Sequence, residues 1–198
     1  MSKVTCHMTM SLDGFVAGPD QSLDNPLGIG GVQMHQWHFD PMHEADIPWR
    51  DSLLAPKGAY LMGRNMFGPV RGEWGDDWRG WWGDEPPYHA PVFVLTHYAH
   101  EPIEMQGGTT FYFVDGFDEA LKQAREIAGD KEIDVAGGAS TVRQALQAGV
   151  IDELVVDIAP VVLGAGESMF GGLADLKLDQ IEVAHSPHVT HIRYRVSY

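Results

Sequence analysis

The residues of this sequence best suited to chemistry sit where apolar runs stop. Gly137-Gly138-Ala139-Ser140-Thr141 follows a run containing Ile133, Val135 and Ala136. Two glycines let the backbone turn sharply and approach a neighbour that any Cβ would obstruct. The residues after them open a helix, and Thr141 with Gln144 has the spacing of a capping box. The N–H groups and dipole at such a helix start suit a phosphate. A tight strand–helix turn without a ligand reads the same stretch equally well, because Gly-Gly alone is weaker than a full dinucleotide fingerprint. A second junction, Gly63-Arg64-Asn65, follows Ala59–Met62 and adds an arginine. Its planar fork can give a phosphate monoester two parallel hydrogen bonds. A third junction places Thr96-His97 after Val92–Leu95. Ligands collect at the carboxyl ends of strands in open α/β sheets, so these ends, side by side, would suit one nucleotide.

Other candidates are more ambiguous. Asp13 lies in Ser11-Leu12-Asp13-Gly14-Phe15-Val16-Ala17. It is either a turn former or an acid with a task. Among Leu12, Phe15 and nearby tryptophans a carboxyl would have a raised pKa, which suits proton transfer near neutrality. The stretch from Glu73 to Pro91 holds Trp74, Trp78, Trp81 and Trp82. It covers a local core, walls a pocket for a flat ring, or meets a second copy of the chain. His35 and His38 have a metal-like spacing but lack the glutamate and helix that give it meaning. His185, His188 and His191 fall in strand-like sequence, where a spacing of three alternates faces. No metal is expected at either group.

The elements that must position these residues follow from periodicity. Val4, Cys6, Met8 and Met10 alternate with Thr5, His7 and Thr9, giving an opening strand. Strands are expected at Ala59–Met62, Val92–Leu95, Thr110–Val114, Ile133–Ala136 and Glu153–Ala159, and again at Leu178–Ala184 and Val189–Tyr198. Helices are expected from Pro48 to Pro56, from Phe117 to Ala128 and after Gly138. Gln21 to Pro48 reads as irregular. Strands alternating with helices, then strands alone, imply a mixed sheet with an antiparallel edge.

Composition narrows the class. The 198 residues suit one sizeable core, so a single domain spanning 1–198 is expected. A formal charge of −15 argues against nucleic acid or anionic membrane as a partner. The single cysteine, Cys6, allows no internal disulfide, which fits a reducing cytoplasm. No apolar run approaches the roughly 20 residues that span a bilayer. The opening residues hold no signal-peptide core.

Five segments in order resemble a known group. They are Ser11–Ala17, Gly63–Met66, Val94–Thr96, Val135–Ser140 and Ile158–Gly164. Together they resemble the dihydrofolate reductase-like superfamily, in the branch of the reductase domain of bacterial riboflavin biosynthesis. The resemblance implies a three-layer α/β fold with about eight strands, helices on both faces and an antiparallel C-terminal edge. It implies NADPH as cofactor, a small-molecule substrate that is heteroaromatic or carbonyl, and a homodimer. Ala17 would line the nicotinamide. Gly63, Arg64 and Asn65, with Thr96 and His97, would hold the 2′-phosphate end, and Gly137, Gly138, Ala139 and Ser140 the pyrophosphate. Asp13 matches the acid of the riboflavin-type branch, and Glu167 lies in a turn that approaches substrate. Phe15 and Trp82 would stack on that substrate. Dihydrofolate reductases carry a pteridine-binding acid on the first helix, with which Asp40, Glu44, Asp46 and Asp51 do not align. The rival reading keeps the fold as a nucleotide-binding sensor or structural dimer without turnover.

Overall fold

A strand with apolar side chains on one face and polar ones on the other needs two different covering layers, and β1 (Val4–Ser11) has them. In the computed structural model, which describes residues 2–39, 41–68, 74–75 and 77–198, β1 is central. Asp40 and Glu73, weighed above, lie outside the described residues. The strands that follow are β2 (Phe15–Ala17), β3 (Ala59–Gly63), β4 (Pro91–Leu95), β5 (Ile103–Glu104) and β6 (Thr110–Val114). After them come β7 (Ile133–Gly137), β8 (Glu153–Ala159), β9 (Glu167–Ser168), β10 (Lys177–His185) and β11 (Thr190–Ser197). Nine form one sheet in the order β10-β11-β8-β1-β7-β3-β4-β6-β5, and β2 pairs with β9 in a ribbon. The sheet has one strand more than the eight or so expected. The two-residue β5 is too short for any alternation to reveal it.

The middle strands run parallel, whereas β10, β11 and β5 pair antiparallel at the edges. One face is covered by α3 (Phe117–Ala128) and α4 (Ala139–Gln147). Cys6, Leu61, Phe93, Val135, Leu154 and Val156 point into this layer. Gly149, at φ +67°, caps the end of α4 as its position implied.

The other face has two cores. One gathers Tyr60, Met62, Val92, Val94 and Phe111 under Phe67 of the short α2 (Arg64–Phe67), together with Trp74, Trp78 and Trp82. The tryptophan stretch therefore covers a core of its own. The second joins Trp37, Val155 and Val189 to Trp49 of α1 (Ile47–Leu53). Trp37 belongs to a 3-10 helix, Gly31–His38, inside the segment read as irregular. Its buried residues Gly31, Met34 and Trp37 recur every three positions, the period of a 3-10 helix, and with only two apolar side chains among them the stripe is too short to stand out.

Candidate active site

The three predicted junctions meet. Strands β7, β3 and β4 are parallel neighbours, so Gly138, Gly63 and Thr96 emerge at one edge of the sheet. They border a cavity of about 870 Å³, within the usual range for a cofactor or ligand site. Of the residues singled out from the sequence, Ala17, Gly63, Arg64, Asn65, Trp82, Thr96, His97, Gly138, Ala139, Ser140 and Glu167 line it. Asp13, Phe15 and Gly137 do not.

One flank lies over β7, β3 and β4 and is made largely of backbone. Gly137 takes φ +123°, and a Cβ there would meet Met8 Sδ at 3.1 Å and Met66 Sδ at 3.2 Å. Gly137 is thus the glycine the turn requires. It is joined to Gly138 by a cis peptide bond. Gly138 has φ −74°, and a Cβ on it would meet nothing within 4 Å, because it would project into the cavity. The capping box is not formed. Helix α4 starts three residues earlier than that box would set it, with Gly138 as N-cap and no side-chain cap. Thr141 is instead buried against Gly63, where a Cβ would stand 2.6 Å from Thr141 Oγ1. The uncapped first turn of α4 lines the cavity through Ala139 and Ser140, which fits an anionic group.

Arg64 brings positive charge to this flank. Its guanidinium carbon lies 4.6 Å from the Trp74 ring centroid and 5.1 Å from that of Tyr98, which fixes the long side chain in place. Thr96 is buried and its hydroxyl accepts from the Tyr98 N–H at 3.1 Å. His97 is exposed and paired through Nδ1 with Asp115 at 2.6 Å. Trp82 packs on Tyr88 and Phe111 while lining the cavity with Trp81, so the tryptophan stretch also walls the pocket.

Asp13 requires a correction. Its carboxylate accepts the Leu163 N–H at 3.1 Å through Oδ1 and the Gly164 N–H at 2.7 Å through Oδ2. It is exposed rather than enclosed by Leu12 and the tryptophans. A side-chain hydrogen bond with Ser11, helped by the Gly164 and Leu163 amides, lowers its pKa to about 2, opposite to the expected rise. A group so acidic is a poor proton donor near neutrality. The Ser11–Gly14 turn faces it outwards and makes it a staple between two loops. Phe15 is half-buried on β2 and paired with Ser168, away from the cavity wall.

The second flank lies over β1 and the 3-10 helix, and the sequence reading missed it. His7 and Thr9 of β1, and His35 and His38 of the 3-10 helix, line it. Burial lowers the pKa of His35, and burial with neighbouring His35 lowers that of His38 to about 4, so both rings are neutral at pH 7. Behind His7 lies a chain of buried polar groups. His7 Nε2 is 2.7 Å from Asp157 Oδ2, His191 Nδ1 is 2.6 Å from Asp157 Oδ1, and His191 Nε2 is 3.1 Å from Asp46 Oδ1. Register explains the meeting, since Asp157 of β8 lies opposite Thr9 of β1 and His191 of β11. The only local signal was the polar stripe Thr5, His7, Thr9 on a strand paired on both sides. Among the described residues no cluster of His, Cys, Asp and Glu has the arrangement of a metal site, and no helix is long and apolar enough to cross a membrane.

A parallel sheet with antiparallel edges and a cavity at its carboxyl ends is the dihydrofolate reductase-like architecture. Residues 2–192 match the model of the RibD C-terminal domain, and the chain belongs to that family of reductase-like domains. Solved structures agree on the fold. A putative riboflavin biosynthesis protein from Shewanella sp. PV-4 is 22% identical, with a TM-score of 0.69 and full coverage of both chains. The riboflavin biosynthesis reductase Rib7 of Saccharomyces cerevisiae is 13% identical at a TM-score of 0.61, covering 99% of this chain and 90% of that one. The deaminase/5-amino-6-(5-phosphoribosylamino)uracil reductase of Thermotoga maritima is 15% identical at 0.60, with 99% of this chain matching 57% of the larger one. No protein of curated function matches the sequence.

Proposed function

We propose that this protein is an NADPH-dependent reductase acting on a small heteroaromatic or carbonyl compound. The observation that carries the reading is the first flank, where Gly138 leaves space for a ligand beside the uncapped start of α4 and next to Arg64. Gly138, Ala139 and Ser140 would hold the pyrophosphate, Arg64 with Asn65, Thr96 and His97 the 2′-phosphate end, and Ala17 the nicotinamide. When bound, the reduced nicotinamide supplies a hydride, which is the demanding part of the chemistry. The chain's share is to bind, to orient and to manage the proton.

Substrate class follows from charge. Arg64 is the one Lys or Arg among the described residues of the cavity wall, and it belongs to the cofactor flank. The other flank offers His7, Thr9, Gln21, His35, His38 and Glu167, which are partners for the edge of a flat polar ring. A homodimer and a cytoplasmic setting accompany this reading.

Fluorescence titration with NADPH and NADH tests it. NADPH should bind more tightly, and Arg64→Ala should remove most of the gap, about ten- to a hundredfold for a charge-assisted contact. Equal affinity for both in the unaltered protein would refute the assignment of Arg64. Pterins, flavins and aldehydes then serve as trial oxidants of NADPH. Binding without turnover on any of them would favour the nucleotide-binding sensor.

A further inference from the structure

A chain of buried acids and imidazoles is costly to desolvate and is weak evidence of stability by itself. His191 and the Asp46 side chain are fully buried, and Asp157 is 1% exposed. Of these groups and His7, only His7 reaches the large cavity. Through His7 the network meets the cavity that Ala17 and Glu167 also line, where the reaction would occur.

The protons along this chain can be counted. An ionised carboxylate only accepts hydrogen bonds. Asp157 receives His7 Nε2 on one oxygen and His191 Nδ1 on the other, with the Thr9 hydroxyl donating to Oδ2 at 3.4 Å. Burial pushes Asp157 up, but the neighbouring His7 charge and the hydrogen bonds from both histidines outweigh it and hold the carboxyl below its ordinary range. Asp157 is thus an ionised anchor that fixes Nε2–H of His7 towards itself. Nδ1 remains the ring position whose proton can exchange. An imidazole held by a carboxylate at one nitrogen and free to exchange at the other is what general acid catalysis requires. His35 and His38 share the wall but hold their protons too weakly, and Asp13 is too acidic and points elsewhere.

We propose, resting on the reductase reading above, that His7 donates the proton that completes reduction of the substrate. His7 Nδ1–H gives its proton to the nitrogen or oxygen of the C=N or C=O bond as the carbon receives the hydride. The hydride pair forms the new C–H bond, and the π pair of the double bond takes up the His7 proton. The nicotinamide ends oxidised, the substrate is reduced by two electrons, and the neutral His7 ring recovers a proton from water. Thr9 and Trp37, whose Nε1–H donates to Thr9 Oγ1 at 3.3 Å, position this unit without joining the step.

The groups facing His7 are Asp157 from β8, Trp37 and His38 from the 3-10 helix and, across a second cavity of about 210 Å³, Asp134 from β7 with Lys3, Lys57, Glu132, Glu153 and Arg193. The first measurement needs no cofactor. Histidine side-chain NMR reads the His7 ring nitrogens, assigned by their loss in His7→Gln. Asp157→Asn, which keeps the shape but not the charge, should change the His7 Nε2 resonance and tautomer, because the carboxylate holds Nε2–H. Unchanged ring resonances in folded Asp157→Asn overturn the coupling. The second measurement is turnover with NADPH. His7→Gln should keep NADPH affinity within about threefold and lose about a hundred- to ten-thousandfold in kcat. The parent's kcat should fall as pH rises and the acid is lost, and His7→Gln should lack that limb. His7→Ala opens the wall, and added imidazole should restore part of its activity, which a merely structural histidine would not allow. Normal turnover in folded His7→Gln, or failure of imidazole to rescue His7→Ala, overturns the proposal while leaving the cofactor reading intact. Failure of the parent to bind NADPH overturns both.

Discussion

The two flanks of the cavity are built on opposite principles. Over β7, β3 and β4 the protein presents backbone: a glycine turn, a helix start and one arginine clamped by rings. Over β1, β8 and β11 it presents side chains, with carboxylates and imidazoles hydrogen-bonded out of contact with water. The first design would recognise an anionic ligand through dipoles already in place. The second stores charge in a low-dielectric setting, where each member depends on the next. Substitutions on the first flank should change affinity and leave stability alone, and those on the second should do the reverse.

The largest effect is expected at Gly138. Its φ and ψ suit any residue and a Cβ meets no protein atom, so Gly138→Val should fold with an unchanged circular dichroism spectrum. NADPH affinity should drop by at least about a hundredfold. A variant that binds as well as the parent would make the turn purely structural.

Next comes His191→Ala. It leaves Asp46 and Asp157 buried without the ring between them, and breaking such a network by removing one partner costs about 3–5 kcal/mol. Denaturant unfolding measures this, and a loss below about 1 kcal/mol would mean that the network is not cooperative. Where the variant folds, NADPH should still bind within about threefold.

Asp134 of β7 borders the smaller cavity that His7 also lines, and it bears on both stability and pH. Burial raises its pKa to about 6, although the Thr5 hydroxyl donates to it at 2.9 Å. An acid harder to ionise when folded favours the native state below its unfolded value of about 3.9. That advantage is lost as pH rises towards about 6. Asp134→Asn keeps a hydroxyl acceptor and should flatten this slope, adding on the order of 2–3 kcal/mol at pH 7. Thermal melts between pH 4 and pH 8 (about the window set by these values) check it, and parallel curves for both proteins would contradict it.

The smallest effect is expected at Asp13, where Asn keeps one acceptor for the Leu163 and Gly164 amides. Turnover by Asp13→Asn should stay within about threefold of the parent. A hundredfold loss, of the size general acid catalysis provides, would restore Asp13 to the chemistry and displace His7.

The same contrast governs what the sequence disclosed. A turn made of consecutive residues leaves a contiguous trace, so Gly137 to Ser140 and Gly63 to Asn65 were legible, as were the alternations that place β1 and β11 and the apolar run that places β4. The second flank joins His7, Asp157, His191 and Asp46, separated along the chain by 150, 34 and 145 positions. Strand register brings them together, and no local pattern encodes register between distant strands. Asp46 was considered only as a pteridine-binding acid, and it faces a buried imidazole instead. Two misreadings were local. Thr141 had the residue type of a cap, but the glycines let α4 begin earlier and drew Thr141 inside. Asp13 had apolar neighbours in sequence, but its turn points it out of their company.

The ribbon of β2 and β9 has a consequence for energetics. Ala17 pairs with Glu167 across it, and a Cβ on Gly166 would stand 2.0 Å from the Ala17 carbonyl oxygen. Arg143 of α4 donates to the Ser168 carbonyl, and Asp13 ties down the loop that leads into β9. On the proposed reading, one small ribbon would carry Ala17 for the cofactor and Glu167 for the substrate. Any coupling between the two ligands through this ribbon would be reciprocal, so the factor by which cofactor tightens substrate would equal the factor by which substrate tightens cofactor.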